Sequence, residues 1–242
     1  MLSKFNRPAR KETLIKLLCF DLGDTLYPST LQVKAWKSAF FDLGISGTEF
    51  INTYYFGNVD FPLGTGAFST AEVVELVNNS LDAPISRSLI PALLKLYQSK
   101  FGVLLSQFIA SDPYGTFNYL KSLSTRFNLG ILSDNSVATR DFWQEHLNKN
   151  NLDIFDFFIV SEEIGFSKPH QKMFDKLIKL SHLEPAEIIY FGDNLTKDQA
   201  VEKYGIKFVH VSGFNHDFPA MSENSIRTVG PGIEQILTNL SQ

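Results

Sequence analysis

Five short apolar runs, separated by stretches of helical periodicity, constrain this chain more than any other feature of it. They lie at residues 14–20, 129–132, 157–160, 188–191 and 206–211. Each is brief, mostly unbroken by charge and partly β-branched or aromatic, the pattern of a strand covered on both faces. Between them apolar side chains recur at helical spacing. Phe142, Trp143 and Leu147 make one stripe, Met173, Phe174, Leu177 and Ile178 another, and Ala200, Val201 and Tyr204 a third. Strand–helix alternation of this kind builds a parallel sheet with helices on both sides. The predicted fold class is α/β.

The alternation stops between residues 27 and 112, which read as helix alone. Leu31, Trp36, Ala39, Phe40 and Leu43 form one stripe. A longer one carries Ile90, Leu93, Leu94, Tyr97, Phe101, Leu104, Leu105 and Phe108, with Pro91 in its first turn. Ser69 and Glu72 fit a capping box ahead of a helix at 71–79, and a loop at 61–68 carries Gly64 and Gly66. An all-helical stretch after the first strand of an α/β sheet reads as an inserted domain. The chain therefore divides into a core of residues 1–26 and 113–242 and a helical domain of residues 27–112. Residues 215–227 read as a polar surface loop before a last helix near 233–240. Trp36, Tyr54, Tyr55 and Phe61 can line a substrate pocket or fill the interior of the helical domain, and the interior is the reading preferred.

Composition excludes several functions. With 44% hydrophobic residues, 22 of them Phe, the chain can fill a large aromatic core. A net charge of −4 argues against an electrostatic grip on nucleic acid, and the only basic cluster, Lys4, Arg7, Arg10 and Lys11, reads as a solvated leader rather than a binding arm. Cys19, the one cysteine, permits no intramolecular disulfide and sits in an apolar run as a small buried hydrophobe. No apolar stretch nears the ~20 residues of a membrane span. With no signal-peptide pattern either, the expected location is cytoplasmic, without membrane or nucleic-acid partners. His146, His170, His182, His210 and His216 show no metal-ligand spacing and read as structural or surface residues.

Open parallel sheets bind ligands beyond the carboxyl ends of their strands, so the polar residues that follow the apolar runs are the ones to inspect. The first run ends in Phe20-Asp21-Leu22-Gly23-Asp24-Thr25-Leu26, and the second in Ser133-Asp134-Asn135. After the third comes Gly165-Phe166-Ser167-Lys168-Pro169, an ammonium group ahead of an expected helix with Pro at its first position. The fourth leads into Gly192-Asp193-Asn194-Leu195-Thr196-Lys197-Asp198. A carboxylate set directly after a buried strand faces the ligand crevice.

These four segments, in this order, resemble the four motifs of the haloacid dehalogenase superfamily, and the helical interval stands where that family places its first type of cap. The resemblance implies a Rossmann-like core with a helical cap domain and a Mg²⁺-dependent hydrolase, a phosphatase acting on a small phosphorylated metabolite. Asp21 would be the nucleophile that forms an aspartyl-phosphate. Lys168 would supply charge among the carboxylates, and Ser133, with Asp134 and Asn135 beside it, would bind the phosphate. Asp21, the Gly23 carbonyl and Asp193 would hold Mg²⁺. Thr25 would hold its loop by a local hydrogen bond, and Asp198 would support the metal or orient the lysine. Together these groups meet the needs of phosphoryl transfer: an in-line nucleophile, cations over the oxygens and donors to fix them. Two residue-level alternatives stay open, since Ser133 can cap a helix and Asp198 can be a charge at a helix start. Asp24 reads as a turn residue whose side chain points elsewhere.

At one position the chain departs from the family. A second aspartate usually stands two residues after the nucleophile, where it protonates the leaving oxygen and then activates water. Here that position is Gly23. Glycine keeps a carbonyl for the metal, but acid–base help worth roughly 10²–10⁴-fold is missing unless another group replaces it. The alternatives are a protein that binds a phosphorylated ligand or partner without turnover, a phosphotransferase or mutase, and a 2-haloacid dehalogenase. The last ranks low, because that branch typically carries tyrosine at this position and needs no metal. A monomer or homodimer is expected.

Overall fold

The computed structural model describes residues 14–56, 70–214 and 225–240. Its strands are β1 (Leu17–Phe20), β2 (Asn128–Ser133), β3 (Phe157–Val160), β4 (Ile188–Gly192), β5 (Lys207–Val211) and β6 (Ser225–Ile226). They form one sheet in the order β3-β2-β1-β4-β5-β6, and every neighbouring pair is parallel. The α-helices are α1 (Thr30–Asp42), α2 (Thr48–Phe56), α3 (Thr70–Asn79), α4 (Ile90–Ser111), α5 (Thr116–Leu123), α6 (Val137–Lys149), α7 (Ser161–Ile164), α8 (Gln171–Ser181) and α9 (Gly232–Leu240). β1 lies between β2 and β4, with Cys19 opposite both Gly130 and Tyr190. The connections leave β1 in both directions, so a crevice opens at the carboxyl ends of these three strands.

Alternation along the strands explains why the runs look continuously apolar. Leu18, Phe20, Ile131, Ile189 and Phe191 enter one apolar layer, while Leu17, Cys19, Leu132, Ile188 and Tyr190 enter another. The second layer is closed by Met173, Phe174 and Leu177 of α8 and by Ala200 and Val201. The first takes in residues of α5, α6 and α9. Gly130 is required by packing, because a Cβ there would lie 2.3 Å from the Phe157 ring.

Between residues 27 and 112 the described residues form only helices and one 3₁₀ turn. α1 packs along α4, with Trp36 stacked on Tyr97 at 3.8 Å between ring centroids. α4 also meets α6, where Phe101 stacks on Phe142 at 5.6 Å. The apolar layer therefore runs from these helices to one face of the sheet without a break. Among the described residues no helix is long and apolar enough to cross a membrane.

Several boundaries differ from the sequence reading. β1 starts at Leu17, because Leu14 is 72% exposed and Lys16 pairs with Glu187 at 2.6 Å. Gln199–Tyr204 winds as a 3₁₀ helix rather than an α-helix. Ser225–Ile226, assigned above to a surface loop, pairs with β5, and Ile226 is buried. Helix α8 begins at Gln171, later than expected, with His170 as its N-cap; Pro169 precedes the helix. Ser69, Phe61, the 61–68 loop, residues 215–224 and the N-terminal basic cluster lie outside the described residues, as do the side chains of Tyr54 and Tyr55.

Candidate active site

The backbone of Asp21 continues the sheet, its N–H donating to the Phe191 carbonyl at 2.8 Å, so its side chain leaves the end of β1 at a fixed angle. The turn that follows is closed by backbone bonds, Leu26 N–H to Leu22 O and Asp24 N–H to Tyr27 O, both 2.8 Å. Buried Leu22 and Leu26 anchor it. Asp24 adopts φ 52°, and its carboxylate accepts the Ser29 N–H at 2.8 Å, which makes it the turn residue that was expected.

Lys168 is 2% exposed. Its Nζ lies 3.0 Å from Asp21 Oδ2 and donates to Asp198 Oδ1 at 2.6 Å and to the Tyr190 hydroxyl at 2.9 Å. The Tyr190 hydroxyl in turn donates to the Leu132 carbonyl at 2.8 Å. Asp198 is fully buried, and its second oxygen accepts the Asn194 N–H at 3.0 Å. It can sit there only because residue 192 is glycine: a Cβ at Gly192 would lie 2.4 Å from Asp198 Oδ2. Asp193 follows β4, and His210 Nε2 contacts its carbonyl at 3.0 Å.

Asp21, Gly23, Ser133, Asp134, Asn135, Lys168, Asp193 and Asp198 line a single cavity of about 250 Å³. Eight of the nine residues singled out from the sequence thus meet in one place. The exception is Thr25, which is buried away from the cavity, its hydroxyl without a hydrogen-bond partner. The expected local bond is absent because backbone bonds already hold the loop. Ser133 is not a helix cap. That role belongs to Ser136, whose Oγ accepts the Thr139 N–H at 3.1 Å, leaving Ser133 Oγ to accept from Asn135 Nδ2 at 2.8 Å. Asp134 is occupied elsewhere. One of its oxygens accepts the Lys168 N–H at 2.8 Å and the other lies 3.6 Å from Lys197 Nζ, so it anchors the lysine loop instead of meeting an anion. Tyr27, Gln32, Asn194 and Lys197 also line the cavity and were not singled out in the sequence. Neither was Tyr190, whose only signal was a hydroxyl-bearing residue inside an otherwise apolar strand.

The charges explain one another. Burial opposes the Lys168 ammonium, but Asp198 and Asp21 outweigh it, and its pKa ends above the ordinary value. Burial, then Asp21, pushes Asp198 up against the pull of Lys168. Burial, then the neighbouring Asp21 and Asp198, raises Asp193 to about 8. Burial pushes the Cys19 thiol up as well, which keeps it an unreactive part of the core. Ligand atoms of Asp21, Asp193 and Asp198 lie within 4.8 Å of one another. Asp198 spends both oxygens on Lys168 and Asn194, whereas Asp21 Oδ1 is buried with no hydrogen-bond partner. An orphaned carboxylate oxygen beside a second carboxylate suits a hard divalent cation.

Against this geometry, a family model for haloacid dehalogenase-like hydrolases matches residues 41–211. The chain belongs to this family. The matched interval begins after Asp21, and it is the pairing of β1 between β2 and β4 that brings the aspartate to the other motifs. This hydrolase is 25% identical to the glyceraldehyde 3-phosphate phosphatase of Methanopyrus kandleri, over 76% of its own length and 78% of the relative's. It is likewise 25% identical to the enzyme of that name from Pyrococcus abyssi, over 81% of each chain. Its fold is that of the magnesium-bound hydrolase YfnB of Bacillus subtilis, with a TM-score of 0.69, 20% identity, and coverage of 93% of this chain and 99% of that one.

Proposed function

We propose that the chain is a Mg²⁺-dependent phosphatase that hydrolyses the monophosphate ester of a small metabolite through an aspartyl-phosphate on Asp21. The observation that carries this reading is the placement of Asp21: one carboxylate oxygen 3.0 Å from a buried lysine, the other unpartnered, beside Asp193. Relatives named as phosphatases support it. Mg²⁺ would be held by Asp21, the Gly23 carbonyl and Asp193, and when bound it supplies positive charge against the phosphoryl oxygens. Asp21 attacks phosphorus as the P–O bond to the alcohol breaks, the alcohol leaves with a proton from solvent, and water then hydrolyses the aspartyl-phosphate, an acyl phosphate, to free the carboxylate and inorganic phosphate. Ser133 donates its hydroxyl to a phosphoryl oxygen while Asn135 fixes its orientation. Lys168 holds Asp21 in line through their 3.0 Å ion pair, and is itself held by Asp198, Tyr190 and the Asp134 carboxylate on its backbone. The helices of residues 27–112 serve as the cap that shields the site and selects the alcohol. A substrate screen with Mg²⁺ tests the proposal; turnover no higher than in an Asp21→Asn control across many phosphorylated metabolites would reject it.

The raised Asp193 sets the pH dependence of metal binding. Below about pH 8 its carboxyl carries a proton that must leave before it can ligate. Mg²⁺ affinity is therefore expected to rise roughly tenfold per pH unit between about 6 and 8 and then level off, with one proton released per ion. The sign for stability is opposite. Since the folded pKa lies above the unfolded one, the metal-free protein loses stability as pH rises through the same window. Calorimetric titration in two buffers of different ionisation enthalpy reads the proton count, and pH-independent affinity would contradict the assignment.

A second cavity, of about 480 Å³, shares Gln32, Asp134 and Asn135 with the first. Aromatic Tyr97, Phe101 and Phe142 line it together with the carboxylates of Asp134, Asp141 and Glu145, and no Lys or Arg does so among the described residues. A leaving alcohol lodged there meets apolar faces and negative charge. Monophosphates of uncharged or amino alcohols are expected to exceed matched bisphosphates by at least about tenfold in kcat/KM; equal values would exclude this cavity as the alcohol site.

A further inference from the structure

On the functional reading above, a phosphate group carries its negative charge into a cavity already lined by Asp21, Asp134, Asp193 and Asp198. A cation of the chain must meet it there, and Lys168 is badly placed to do so. An ammonium has three N–H groups, and three oxygens already stand within 3.0 Å of this one: Asp21 Oδ2, Asp198 Oδ1 and the Tyr190 hydroxyl. The lysine is also 2% exposed. A phosphoryl oxygen reaches its ammonium only by displacing one of those three. Lys168 serves the nucleophile.

Among the described residues one other cation lines the cavity, Lys197. Its backbone is fixed. The Lys197 N–H donates to Asn194 Oδ1 at 3.0 Å, as does the Thr196 N–H, and the Asp198 N–H donates to the Asn194 carbonyl at 2.8 Å. Its ammonium is not fixed. The side chain is 38% exposed, and its one ionic partner among the described residues, Asp134 Oδ2, stands 3.6 Å away, beyond hydrogen-bond length. A loose, partly solvated pair of this kind contributes little, so giving it up costs little. The geometry points to Lys197 as the cation that binds the phosphoryl group, held at the cavity by Asp134 until phosphate arrives. Lysine suits the exchange, because a compact charge on a flexible four-carbon stem meets phosphate as a point charge and needs no fixed angle. The phosphoryl group is common to every substrate and to inorganic phosphate, so the contact strengthens the binding of all of them.

Inorganic phosphate, which needs no turnover, is the probe. Titrated calorimetrically into the protein with Mg²⁺, it should bind Lys197→Gln at least about tenfold more weakly than wild type. The kcat/KM of Lys197→Gln should fall by a similar factor for every monophosphate, whatever its alcohol. Lys197→Arg keeps the charge and should stay within about threefold of wild type on both readouts. The thermal midpoint of Lys197→Gln should not change, since the side chain it replaces is partly exposed and loosely paired. Phosphate affinity within about twofold of wild type in Lys197→Gln would overturn the assignment. So would a loss confined to some esters with phosphate binding intact, which would move the lysine to the alcohol, or equal losses in the Arg and Gln variants. Failure of the phosphatase reading looks different: no ester would be turned over above Asp21→Asn, while a phosphate affinity that still depended on Lys197 would uphold the binding assignment.

Discussion

Replacing Asp21 by Asn is expected to reduce turnover of any phosphate ester by at least about four orders of magnitude, while the protein remains folded. Asn is nearly isosteric, but its amide is a poor nucleophile and cannot pair with the Lys168 ammonium now 3.0 Å away. Lys168 keeps Asp198 at 2.6 Å, so the buried cation is not stranded. Removing one carboxylate also relieves the crowding that raises Asp193, and the thermal midpoint of the variant without metal should match or exceed that of the parent. Steady-state assays with thermal melts check both halves. Activity within tenfold of wild type would show that Asp21 is not the attacking group.

The second large effect concerns Lys168. Changing it to Met leaves Asp198, fully buried, without its cation. Breaking a buried pair from one side typically costs about 3–5 kcal/mol, far more than the net worth of the intact pair. Tyr190 loses its ammonium donor at the same time. Lys168→Met is therefore expected to be destabilised by that amount and to lose about 10²-fold or more in kcat. The double variant Lys168→Met, Asp198→Leu separates the causes. With the fully buried carboxylate removed as well, and only the partly exposed Asp21 left without its cation, it should recover most of the stability and none of the activity. Recovery of both would mean that the lysine serves folding alone.

What could be read in the sequence, and what could not, divides along the range of the interactions. The strands were legible because both faces are covered, so Leu17 to Phe20 and Ile188 to Phe191 show as unbroken apolar runs. Asp21, Ser133 and Asp193 were legible because a parallel sheet exposes whatever stands at its strand ends. Thr25 was misread: a hydroxyl in a tight turn suggests a local bond, but backbone bonds already close that turn. β6 was missed because two residues are too few to show a period. Tyr190 was missed for a different reason. Its hydroxyl joins Leu132, Lys168 and Asp198, three groups from separate parts of the chain, and only the paired strands bring them together.

The central claim is that phosphate passes through Asp21, and trapping the phosphorylated protein tests it most directly. Protein mixed with Mg²⁺ and a turned-over phosphomonoester carrying radiolabelled phosphate, quenched in acid within milliseconds and digested, should carry label on the peptide containing Asp21. The label should be absent from Asp21→Asn and should be released by hydroxylamine, as an acyl phosphate is. Label on any other residue, or steady turnover in which no phosphorylated protein forms at any quench time, would contradict the account.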